Sequence, residues 1–180
     1  MFVLAVLALL LLFAFIGFVF FSLDALLSHP PFVPVPKTAV PAIIEALDLK
    51  PGQRLYDLGC GDARVLIAAA AAPGIQAVGI EKNLYPHWLA KRAIRKASAK
   101  NIRIIRENFF KTDLRSADRL FLYLFPDVMK KILPKLSAEL RPGVRVVSCD
   151  FIFKEKVPAE VIDLGRTGPV IAKKLYVYDF

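Results

Sequence analysis

Ten residues, Leu55 to Arg64, read LYDLGCGDAR: an apolar run ends on an aspartate, two glycines flank Cys60, and an acid and a base precede an alanine-rich segment. Gly59 and Gly61 let the backbone pass close to a ligand with no Cβ in the way. A Gly-x-Gly turn between a strand and a helix is a nucleotide-binding signature. Glu81, followed by Lys82, closes the next apolar run 20 residues beyond Gly61. There a carboxylate can accept both hydroxyls of a ribose, at about 1.5–3 kcal/mol per charge-assisted bond.

A dinucleotide would use the same features, but two residues argue against it. The third glycine of G-x-G-x-x-G falls at Arg64, whose side chain opposes the close helix contact that diphosphate binding uses. Asp57, just before the turn, would repel a diphosphate and attract an ammonium group. A ligand with a ribose, an adenine and a cationic amino-acid end fits both, and S-adenosylmethionine is such a ligand.

These residues need a scaffold that gathers them at one edge. The periodicity predicts a helix over Val40–Leu47, a strand in RLYDLG, a helix in ARVLIAAAAA and a strand in QAVGIE. A basic helix from about Pro86 to Ala99 follows, then strands in NIRIIRE and DRLFLYLF, a helix in DVMKKILPKLSAEL and a strand in VRVVSCDFIF. Alternating strands and helices mean an α/β fold with a mostly parallel sheet covered on both faces. AEVIDLG and KKLYVYDF are separated only by the GRTGP turn, too short for a crossover helix, so the last strand pair must be antiparallel. In such a sheet the ligand crevice lies beyond the carboxyl ends of the strands, where Asp57, Gly59, Gly61 and Glu81 would meet.

Charge divides the chain of 180 residues in two. Residues 1–36 hold no Lys or Arg and one acid, Asp24, whereas residues 37–180 carry all 25 basic side chains against 15 acidic ones. From Phe2 to Phe21 no side chain is charged, and 20 residues of helix span about 30 Å, the thickness of a hydrocarbon core. A cleaved signal peptide is the competing reading. The block exceeds the usual apolar region of about 7–15 residues, lacks a basic start and has no small-x-small cleavage site. We therefore expect a single-pass membrane helix over residues 1–22, a Pro-rich linker and cofactor-covering segment over 23–37, and a catalytic domain over 38–180. Pro30, Pro31, Pro34 and Pro36 make the linker extended and semi-rigid. Phe32 and Val33 within it would not be needed in a pure spacer and should fold back on the domain. Cys60 and Cys149 have no metal or disulfide spacing, so no metal is expected; His29 and His87 read as linker and surface residues.

At this point the residues resemble a family. LYDLGCGDAR followed by VGIE resembles the first two motifs of class I, seven-strand S-adenosylmethionine-dependent methyltransferases, whose Rossmann-like sheet ends in an antiparallel pair. The PFVP segment, NFFKTDL, LYLFP and RVVSCDF are similar to the protein-lysine methyltransferases of the ATP synthase c-subunit and adenine nucleotide translocase type and their archaeal relatives. The likeness covers nearly all of residues 30–152. It implies that Asp57, Gly59 and Gly61 shape the methionine end of the cofactor site, that Glu81 holds the ribose, that Asn108 and Phe109 meet the adenine, and that Cys60 and Lys82 also belong to the cofactor site. Phe32, Val33 and Pro34 would cover the cofactor, and Tyr123, Phe125 and Pro126 would line the channel to the methyl group. Many relatives carry an aspartate where this chain has Asn108.

The implied reaction is an in-line displacement onto a lysine amine, so the site must chiefly align the reactants and exclude water. Holding a lysine neutral at pH 7 costs about 4.6 kcal/mol from a pKa near 10.4, and an apolar channel beside a cation lowers that pKa. Asp150 is a possible proton acceptor or a structural residue. Lys91, Arg92, Arg95, Lys96 and Lys100 form either a solvated outer face or a surface for anionic lipid; a pI near 9.7 also permits RNA, and the apolar leader tips the choice to membranes. The expectation is a membrane-anchored lysine methyltransferase facing the cytoplasm, with a membrane-associated protein as substrate. The rivals are a methyltransferase for RNA, lipid or a small molecule, and a non-catalytic cofactor-binding module.

Overall fold

The computed structural model describes residues 2–27, 32–165 and 171–180. His29, Pro30, Pro31 and all of the GRTGP turn after Gly165 lie outside them. Helix α1 (Phe2–Leu27) is, among the described residues, the one helix long and apolar enough to cross a membrane by length and composition, and nothing buries its Phe2–Val19 stretch. It continues five residues past the expected boundary at residue 22, because SLDALL contains no Gly or Pro to break it.

The domain runs α2 (Val40–Leu47), β1 (Arg54–Leu58), α3 (Arg64–Ala69), β2 (Gln76–Ile80), α4 (Leu84–Lys96), β3 (Ile102–Ile105), β4 (Arg119–Leu122), α5 (Pro126–Glu139), β5 (Arg145–Cys149), β6 (Glu160–Asp163) and β7 (Lys174–Asp179). The sheet order is β3-β2-β1-β4-β5-β7-β6, with β7 antiparallel to both neighbours and every other pair parallel. Period-two alternation feeds two cores. Leu55, Phe121, Val147 and Val177 face α2 and α3, while Tyr56, Leu58, Leu120, Leu122 and Val146 face α5.

Three elements stop earlier than their composition suggests. Helix α3 ends at Ala69 and not at the end of the alanine run, since Pro73 restricts the residue before it and Gly74 takes φ +76°. Strand β4 ends at Leu122, where its register partners Leu58 and Ser148 also sit; Tyr123, Leu124 and Phe125 therefore form the loop into α5 and not the strand that LYLF promises. Strand β5 ends at Cys149 because Asp150 turns into the left-handed region at φ +61°.

The order of strands reverses between β1 and β4. The first goes on through β2 and β3 in one direction, the second through β5 in the other, so the carboxyl ends of β1 and β4 flank the switch-point crevice.

Candidate active site

Backbone hydrogen bonds tie down the start of the turn after β1. Gly59 and Cys60 N–H both donate to the Ile80 carbonyl, at 2.8 and 3.1 Å, which ties the turn to the end of β2. Gly59 and Gly61 take φ of +81° and +56°, conformations that favour glycine. A Cβ on Gly61 would overlap the Phe32 ring, so the glycine is what admits that ring. Gly79, which the sequence did not single out, matters too: a Cβ there would lie 2.5–2.7 Å from Leu66, Ile104 and Cys60. The absence of a side chain in mid-β2 lets α3 and the turn sit directly on the sheet.

Above this turn lies a cavity of about 420 Å³, within the range of small-ligand sites. Asp57, in β1 between Gly79 and Phe121, is 3% exposed, and its carboxylate receives no hydrogen bond from any described residue. Burial pushes its pKa well above the ordinary value, and the charges of Glu81 and Asp62 push further the same way. Such a carboxylate calls for a cation. Glu81 is also buried; it accepts from Gly61 N–H at 3.2 Å on one oxygen and from Asn83 N–H at 2.8 Å on the other. Burial raises its pKa against those bonds, and each oxygen keeps lone-pair capacity for a ligand hydroxyl.

The segment 32–35 forms one wall. Phe32, Val33, Pro34 and Val35 line the cavity; Val35 is buried in the core, and Arg64 ties it to the turn. Its guanidinium pairs with both oxygens of Asp62, Nε lying 2.9 and 3.1 Å from them, and donates from Nη1 to the Val35 carbonyl. The sequence used Arg64 only to exclude a dinucleotide. Its positive role, clamping a segment 29 residues away, leaves no signature in spacing.

At the far side Asn108 turns the chain, its Oδ1 accepting from Phe110 N–H at 3.1 Å, and Phe109 and Phe110 stand with ring centroids 4.9 Å apart. Tyr123 and Phe125 line the cavity, each within about 6 Å of Phe151 between ring centroids. Phe151 was missed because it was read as part of a strand. Burial, with Cys149 and Asp150 nearby, holds the Tyr123 phenol up at about 12, so it is protonated at neutral pH. Pro126 does not line the cavity; it starts α5 at a position where its missing N–H costs nothing. Cys60 and Lys82 do line it, as do Lys131 and Ile171.

Two other residues differ from their reading or settle it. His87 is buried at 7% exposure, not on the surface, and its Nδ1 has no partner among the described residues; burial and then Lys91 and Arg106 lower its pKa. Asp150 accepts from the N–H groups of Ala172 and Lys173, both at 2.6 Å, and of Lys174 at 3.3 Å. Its carboxylate braces the start of β7, the structural one of its two readings.

A buried carboxylate with no partner among the described residues for a cationic end, a second carboxylate for a ribose, and a cavity beside the glycine turn fit S-adenosylmethionine. The comparisons agree. The family model described as the ANTKMT methyltransferase domain matches residues 57–160. A protein-lysine N-methyltransferase of Saccharolobus islandicus (strain REY15A) is 37% identical over 144 residues, covering 74% of this chain and 84% of that protein. A lysine N-methyltransferase of the ATP synthase c-subunit from Xenopus laevis is 32% identical over 136 residues, covering 75% of this chain, and the chain spans 59% of its length. Among solved structures, one titled RNA methyltransferase from Salinibacter ruber in complex with S-adenosyl-L-homocysteine is similar at TM-score 0.75 and 33% identity, covering 82% of this chain and 93% of that one. The chain thus belongs to the ANTKMT methyltransferase domain family, S-adenosylmethionine-dependent enzymes with a Rossmann-like sheet.

Proposed function

We propose that the protein is a membrane-anchored protein-lysine N-methyltransferase acting on a membrane-associated protein, with α1 as a single-pass anchor and the domain facing the cytoplasm. The observation that carries the lysine is the 37% match to a protein-lysine N-methyltransferase across 84% of that protein's length. The length and exposed apolar surface of α1 support the anchor.

In this reading Asp57 receives the cationic amino-acid end of the cofactor, Glu81 the ribose hydroxyls, and Asn108 with Phe109 the adenine. Phe32, Val33 and Pro34, held by Arg64 through Val35, keep water from the bound molecule. Bound S-adenosylmethionine supplies a methyl group on a sulfonium. Tyr123, Phe125 and Phe151 surround the incoming lysine with apolar surface that disfavours its charged form. The protonated Tyr123 hydroxyl can still accept a hydrogen bond from the amine and hold its lone pair in line. With Asp150 occupied by three backbone N–H groups, the ammonium proton is given to water before the lysine enters.

The Salinibacter ruber structure, whose title names RNA, favours a second reading in which the acceptor is a nucleotide. Label transfer separates the two. Full-length protein is incubated with methyl-labelled cofactor and membrane extract, which is then divided into protein, RNA and lipid. Label in protein after nuclease digestion is expected; label confined to RNA or lipid overturns the proposal.

A further inference from the structure

Between Lys82 and Arg106 the chain places eight Lys or Arg residues and not one Asp or Glu. Among the described residues no ion pair involves any of the eight. A helix turns about 100° per residue, so Leu84, Trp88, Lys91, Arg92 and Arg95 share one stripe of α4, away from the buried Pro86, His87 and Ala90. Leu84 and Trp88 are 41% and 46% exposed, and the Arg92 guanidinium lies over the indole, 5.6 Å from its centroid. Indole and leucine interleaved with cations suit a helix lying in the headgroup layer, where the ring sits at the interface and the cations reach phosphate. The apolar helix α1 also meets the domain at α4.

We infer that this stripe of α4 docks on anionic lipid headgroups. The inference rests on the anchor proposed above and adds an orientation to it. Lys82, Asn83 and Pro86, at the start of α4, line the cavity, so docking holds the cavity mouth at the bilayer surface, where a membrane protein presents its lysine. Each Lys or Arg near an anionic surface contributes about fivefold to the docked population. RNA offers similar phosphates, but the contact with α1 puts the stripe beside a bilayer.

Trp88 is the only tryptophan, so its fluorescence reports on α4 directly. The full chain is reconstituted in nanodiscs of phosphatidylcholine alone or mixed with phosphatidylglycerol. In the mixed discs acrylamide quenching of Trp88 should fall at least twofold and quenching by headgroup-labelled lipid should rise. High salt should reverse both, as should the variant carrying Lys91→Glu and Arg95→Glu, whose docked population drops about a hundredfold or more. Unchanged cofactor affinity in that variant shows that it is folded. Equal acrylamide quenching in the two lipids overturns the inference. So does a Trp88 that stays open to acrylamide in mixed discs yet is quenched by a single-stranded oligoribonucleotide, an outcome that assigns the stripe to nucleic acid. Failure of the anchor reads differently: the chain is then not recovered with phosphatidylcholine discs, while protection of Trp88 in the mixed discs still supports docking and recovery with neither disc overturns it.

Discussion

Asp57 and Glu81 are both withdrawn from water at the cavity floor, and burial raises the pKa of each in the free protein. A carboxyl whose pKa is raised by folding costs stability as pH rises through that value, so the free domain carries a strain that a cationic ligand relieves. Binding needs both groups ionised. Cofactor affinity should therefore be greatest near neutral pH, below the titration of the cofactor's own amino group at about 8, and fall as pH drops through the raised values, starting above the ordinary carboxylate range. Isothermal calorimetry across pH checks this, and Glu81→Gln should raise Kd about tenfold to a hundredfold while flattening the profile. A pH-independent Kd would show that the two carboxylates do not face the cofactor. Arg64 belongs to the same scale. Arg64→Ala frees the Val35 carbonyl and should raise cofactor Kd about tenfold, with kcat at saturating cofactor within about twofold of the parent. Arg64→Lys should rescue only in part, because one ammonium cannot hold Asp62 and Val35 in the forked geometry of a guanidinium.

The elements repay the sequence unevenly. Strand and helix order, the antiparallel ending and the ligand edge were legible because each rests on local periodicity or on the length of a connection. What was not legible depends on contacts between distant segments. Gly79 looks like any strand glycine until Leu66, Ile104 and Cys60 converge on it. Phe151 joins Tyr123 and Phe125 only because β5 ends early, and His87 is buried by tertiary packing that its charged neighbours Lys91 and Arg92 conceal. Asp150 shows how an element decides a role that composition leaves open. Its three backbone partners make it a brace between β5 and β7. Asp150→Asn should cost about 1–3 kcal/mol of stability, seen as a melting point lower by about 2–12 °C, with kcat of the folded enzyme unchanged. A collapse of kcat at an unchanged melting point would instead make Asp150 the proton acceptor.

At the scale of the whole molecule, an apolar helix whose one charged side chain is Asp24 is joined to a domain holding all 25 basic residues, and residues 32–35 of the segment between them line the cavity. In the proposed reading the anchor and the cavity lie close together in the sequence, since the residues that line the cavity follow α1 within ten positions. That proximity suits the proposed substrate in the same membrane, and the identity of the methylated atom is the central question. Tandem mass spectrometry of protein recovered after incubation of the full chain with labelled cofactor and membranes answers it most directly. Label is predicted on a lysine ε-amine and should be lost with Glu81→Ala; label on a nucleoside, a lipid or any other side chain, with lysine unmodified, would contradict a lysine methyltransferase.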